Sequence, residues 1–247
     1  MTIKSLITVL LLVLLTTGCA TVPQINSHQK KPVSFTSLEK DNVSEKGWWY
    51  ARFRLRWPKD VEAAWYLGPL IANEIVAPAL HQYANKIELW RFHRRAGRDA
   101  AGHQFSFIFY SSPTTAGEIY YALETNPLLK ALIKKGKIKN VGFDNLDKIT
   151  KSAIEDTSDK HWPEEIQKSW PYFIMGASQM WLNLTQQLAN QQQKQEKSMD
   201  LEKRYQRIHS QLLALWKHEG NHALLHHLNA LYGYEPLIIT ERKLHNF

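Results

Sequence analysis

The stretch WWYARFRLRWP, from Trp48 to Pro58, alternates apolar and basic side chains. Trp49, Ala51, Phe53, Leu55 and Trp57 take the odd positions, and Arg52, Arg54 and Arg56 fall between them. A period of two is that of a β-strand, whose successive side chains point to opposite faces of a sheet. One face of this strand suits a core. The other must meet water or counter-charges, because an unpaired buried cation is costly. Pro58 ends the strand, having no N–H to give to a ladder.

Working downstream, Asp60 to about Tyr83 predicts a helix kinked or broken by Gly68-Pro69 and Pro78. IELWRF and QFSFIFYS predict two strands joined by the basic turn HRRAGRDAAGH, a hairpin with a long loop. Thr114 to Lys135 has leucines at helical spacing and is closed by Gly136, and KIKNVGF predicts a last strand. The order strand, helix, strand, strand, helix, strand over residues 47–143 predicts an α+β ferredoxin-like split βαβ sandwich. Residues 144–247 predict a helical C-terminal extension. In it, a helix interrupted at Pro171 and a second one running from Ser198 or Asp200 to about Tyr232 form a hairpin. Its expected apolar stripes are Phe173, Met180, Trp181 and Leu184 on one helix and Leu212, Leu215, Leu224 and Leu228 on the other. The open sheet face is one surface these helices could cover, with Glu164, Glu165, Glu202 or Glu219 then facing the strand arginines. Such a fold hosts many activities and names none.

The start of the chain supplies an address. Lys4 precedes a run from Leu6 to Leu15 that is apolar but for Thr8, followed by Thr16, Thr17, Gly18 and Cys19. A helix of ten residues rises about 15 Å, half of a hydrocarbon core of about 30 Å, so residues 1–18 predict a secretory signal peptide. Thr17-Gly18-Cys19 resembles the lipobox of bacterial lipoproteins, with Thr16 where a Leu is usual. The resemblance implies a Cys19 acylated by palmitate-type chains. With Ala20 after it, it implies a Gram-negative outer-membrane anchor facing the periplasm. Cys19 is the only cysteine, so no intramolecular disulfide can form. Residues 19–46 are polar and predict a flexible tether reaching about 25 to 30 Å.

The formal charge of +8 would raise nucleic acid as a partner for a cytosolic chain. The expected address removes nucleic acid and leaves the lipid bilayer, an envelope protein or an anionic envelope component as partners. The resulting expectation is an envelope binding or assembly module without a cofactor.

An alternative comes from KHEGNHALLHH, Lys217 to His227, which contains His-Glu-x-x-His. On a helix this spacing places two zinc ligands, His218 and His222, beside a general base, Glu219. It predicts, as the alternative, a periplasmic metal-dependent hydrolase. A third ligand is not evident nearby. Glu241 lies in an extended-looking segment, and His226 would stand about 12 Å along the axis from His218. His93, His103 or His161 would have to come from elsewhere. A further candidate is RFHRRAGRDAAGH, where Arg91, Arg94, Arg95 and Arg98 could clamp a phosphate or carboxylate. The competing reading of that loop is solvation with an Arg98 to Asp99 pair.

Overall fold

A computed structural model describes residues 45–236. Its architecture is mixed α+β: one four-stranded antiparallel sheet, helices against it, and a C-terminal pair of long helices. Strand β1 (Gly47–Leu55) is followed by α1 (Leu67–Ile71), a π turn (Ala72–Val76) and α2 (Ala77–Gln82). Then come β2 (Leu89–Ala96), β3 (His103–Ser111), α3 (Pro113–Thr125), α4 (Pro127–Lys134) and β4 (Ile138–Phe143). A 3-10 turn (Ile154–Thr157) leads to α5 (Glu164–Gln195), α6 (Leu201–Gly220), a second π turn (Asn221–His226) and α7 (His227–Leu231). The sheet order is β2-β3-β1-β4, and every neighbouring pair is antiparallel.

The alternation in β1 separates two environments. Trp49, Ala51, Phe53 and Leu55 are buried in the main core, where they meet Trp90 and Phe92 of β2 and Phe105, Phe107 and Phe109 of β3. The indole of Trp49 donates to the Ser111 carbonyl at 2.9 Å, so its one polar atom is satisfied. On the outer face the registers align Arg52 with Ser106 and His93, and Arg54 with Gln104 and Arg95.

Several boundaries differ from those expected. The first helix starts at Leu67 and not Asp60, which has a φ of 59° and cannot begin a right-handed turn. Pro69 sits in its first turn, where the missing N–H costs nothing, and the π turn accommodates the approach to Pro78 without ending the helical path. The hairpin loop is shorter than expected: pairing of Arg95 with Gln104 and Ala96 with His103 extends both strands to a turn at Gly97–Gly102. Asn126 splits the helix predicted over Thr114 to Lys135. A residue before proline favours extended backbone, and the Asn126 side chain then accepts from Leu128 and Leu129 N–H to cap α4. Pro171 does not interrupt α5. The Gln167 carbonyl that loses its helical donor there accepts instead from the Ser158 hydroxyl at 2.7 Å.

Helices α5 and α6 complete the sheet's own core. Leu182 and Ala189 of α5 and Tyr205, Ile208 and Leu212 of α6 are buried with the strand aromatics. The expected stripes need correction, because Phe173 is 54 % exposed and Met180 39 %, while Leu182 and Tyr205 are fully buried. The reason is where α5 lies. It packs along β2, the edge strand, whose Phe92 N–H donates to Ser178 Oγ at 3.1 Å. The helix thereby covers an edge that would otherwise be open to pairing. Its Trp170 and Met175 reach the β2 side of the outer face, but it does not close over the arginines of β1: Arg52 pairs with Asp144, Glu164 with Lys168, and Glu202 with Lys137.

Candidate binding surfaces

His218 and Glu219 stand in the last turn of α6, and Gly220 ends it. His222 belongs to the π turn that follows, so the two histidines do not sit on one regular α-helical face. The His222 ring stacks on His226 with centroids 5.4 Å apart and lies equally far from His227. Gly220 has a steric role: a Cβ there would come within 3.0 Å of the Trp216 ring, which lies across it. Among the described residues no three His, Cys, Asp or Glu side chains converge to hold a metal. His93 is on the outer face of β2, and His161 lies in the turn before α5. His103 is wedged edge-on between Trp57 and Trp65, its Nδ1 buried without a hydrogen bond. Burial, then the nearby Arg94 charge, lowers the His103 pKa. Glu241 lies outside the described residues.

The four arginines of the hairpin go to four separate places. Arg94 turns to the core side, donates to the Trp65 carbonyl at 2.5 Å, and lies over the Trp65 and Trp181 rings. Burial brings its pKa down to about 10. Arg98 stacks at 3.4 Å on Trp57 and donates to the Trp57 and Pro58 carbonyls. Arg95 grips Asp99, the role expected of Arg98, and holds that carboxyl well below its ordinary range. Asp99 also accepts from the N–H groups of Ala101 and Gly102, which makes it the organiser of the turn. Arg91 shares the outer face with Arg95 but lies at its other end, beneath residues 151–157. A four-arginine clamp is therefore not assembled.

Beyond Leu212 the C-terminal helix leaves the core. Trp216 is 57 % exposed, Leu225 51 % and Leu231 82 %. Between this arm and α5 runs an apolar groove of about 420 Å³, walled by Met180, Trp181 and Leu184 on one side and Leu215, Trp216 and Leu224 on the other. Among the described residues, Glu219 is the one charged residue lining it. The leucines were visible in the sequence; their exposure was not, because a helical period does not say which face finds a partner.

A second cluster left no sequence signal at all. Asn73 and Glu74, in the first π turn, both bond to the hydroxyl of Tyr205: Asn73 Nδ2 donates at 2.6 Å, and the tyrosine donates to Glu74. Burial, reinforced by the Glu74 bond, raises the tyrosine pKa. This network ties α6 to the first helix and is structural.

Cys19 lies outside the described residues. Within them, no helix is long and apolar enough to cross a membrane. Comparison of the chain with protein-family models, with curated proteins and with solved structures finds no match.

Proposed function

We propose that the protein is a lipid-anchored binding or assembly module of the Gram-negative envelope, with Cys19 in the outer membrane and the arm formed by α6 and α7 offered to a protein partner. Its body is a ferredoxin-like split βαβ sandwich, a reading supported by the β2-β3-β1-β4 order and the βαββαβ succession of elements. The observation that carries the function is the exposed apolar arm with its groove. Contiguous apolar surface of this kind marks a binding face. The occupant that fits is an amphipathic helix, laid into the groove through apolar anchors and bearing a basic residue opposite Glu219.

The test is photocrosslinking from position 216 or 224 in the full chain in its native membrane, with position 121 on α3 as control. A discrete protein adduct is expected from the arm positions only, with a yield that falls about tenfold in Glu219→Lys and is unchanged in His218→Ala and His222→Ala. In Cys19→Ser the protein should leave the membrane fraction. Adducts to lipid alone, or an adduct indifferent to Glu219→Lys, would contradict the reading.

A further inference from the structure

The outer face of the sheet has a feature the arm does not explain. Residues 151–157 cross its upper end as a strap. Tyr110 donates to the Ser152 carbonyl at 2.6 Å, and the Trp48 indole donates to the carbonyls of Ala153 and Ile154. Just below the strap the register sets Tyr50 of β1 and Arg91 of β2 on either side of Ile108. Two strand spacings separate them, about 10 Å.

Cations gather here. Lys151 Nζ donates to the Tyr50 hydroxyl at 2.6 Å, and the Arg52 guanidinium lies 4.3 Å from the centre of the same ring. Arg91 is only 9 % exposed. Its Nε donates to Thr157 Oγ1 at 3.0 Å, and its guanidinium lies over Trp170 at 5.0 Å, so the group is held in one orientation. Of the carboxylates around the strap, Asp144 is engaged by Arg52, and Asp156, which also feels the Lys151 charge, is engaged by Lys160. Among the described residues no ion pair reaches Arg91 or Lys151. The terminal nitrogens of Arg91 have no protein partner there, yet they are not buried unsatisfied atoms, so they open to solvent.

A half-desolvated, oriented guanidinium without a counter-charge is costly to keep and favourable to neutralise. Its free fork matches two oxygens of a tetrahedral anion, and an ammonium nearby adds a point charge. Burial and then the charges of Arg91 and Arg95 lower the pKa of the adjacent His93, which reports the same positive field. We propose that this basin binds a phosphate monoester or diphosphate group, gripped by the Arg91 fork and Lys151, with the Tyr50 hydroxyl as a third contact and His93 and Arg54 on the open side.

The site uses no residue of the arm, so its failure would leave the partner-docking reading untouched. The experiment titrates the full-length Cys19→Ser chain with inorganic pyrophosphate by calorimetry, and separately measures its cosedimentation with phosphatidylcholine vesicles with and without phosphatidic acid. One saturable site is expected in at least one arm. Arg91→Gln and Lys151→Gln should each weaken it about tenfold or more, and Tyr50→Phe a few-fold, while Arg98→Gln on the far turn leaves it unchanged. Binding only to the phosphatidic acid vesicles would identify a lipid headgroup as the source of the phosphate, and binding only of pyrophosphate a soluble one. If Arg91→Gln does not fold, Lys151→Gln at the rim carries the test. No saturable binding in either arm, or binding indifferent to Arg91→Gln and Lys151→Gln, would overturn the proposal.

Discussion

Tyr205→Ala is expected to lower stability by about 3 to 5 kcal/mol, the range for emptying an aromatic site in a packed core. The ring is fully buried in the main core, and its hydroxyl is held by Asn73 and Glu74 of the first π turn. For a domain of this size the loss corresponds to a melting-point drop of about 6 to 20 °C. Tyr205→Phe separates packing from hydrogen bonding. It keeps the ring but removes the partner of Asn73 and Glu74, and should cost about 1 to 3 kcal/mol. Thermal unfolding followed by circular dichroism measures both. A loss under about 1 kcal/mol for Tyr205→Ala would mean that α6 is not part of the core.

Phe107→Ala should be of the same size, about 3 to 5 kcal/mol, for a different reason. Phe107 is fully buried in the middle of β3, stacked on Phe109 with centroids 4.9 Å apart and in contact range of Phe92 and Trp90. Each such aromatic pair adds about 0.5 to 1.5 kcal/mol beyond burial. Trp216→Ala is the internal contrast. Its ring is larger, but more than half exposed, so its removal should change stability by under about 1 kcal/mol. Chemical denaturation of the two variants side by side checks the ordering. Equal losses would place Trp216 in a core that the structure does not give it.

The parts of this fold that were legible are those where one physical signal dominated. The period of two in β1 identified a strand and sorted its faces, since Trp49, Phe53 and Leu55 are apolar and the residues between them are cationic. Gly136, at a φ of 68°, closed a helix as its type suggests. Where two signals competed, tertiary structure chose. The run from His93 to Ala96 is polar enough to be a loop, yet pairing with β3 and the Asp99-centred turn draw it into the strand. Pro171 is a helix breaker by its chemistry, but a hydroxyl far outside the helix, that of Ser158, takes the orphaned carbonyl.

The sites were less legible than the fold. His218, Glu219 and His222 form a spacing that has meaning only on a regular helix, and a π turn, which the local sequence does not announce, begins between them. Arg91, Arg94, Arg95 and Arg98 are close in sequence, and strand alternation sends them to opposite faces and a turn. The Tyr50, Arg91 and Lys151 basin shows the converse. Its members are up to 101 residues apart and only a strap and a strand register bring them together.

The claim that β1 divides a buried aromatic face from an outer face whose cations beyond the strap, Arg54 and Arg56, are left in water is tested most directly by thermal melts of Arg52→Ala, Arg54→Ala and Arg56→Ala. Arg54 is the middle of the three in sequence, but it is exposed, and among the described residues Arg52 is the one paired, to Asp144 at 2.6 Å with both side chains about two-thirds covered. Arg52→Ala is therefore expected to cost about 1 to 2 kcal/mol, discounted for the water that still reaches the pair, and Arg54→Ala and Arg56→Ala under about 0.5 kcal/mol each. A loss centred on Arg54 would mean that the outer face is covered there too, and would contradict the account.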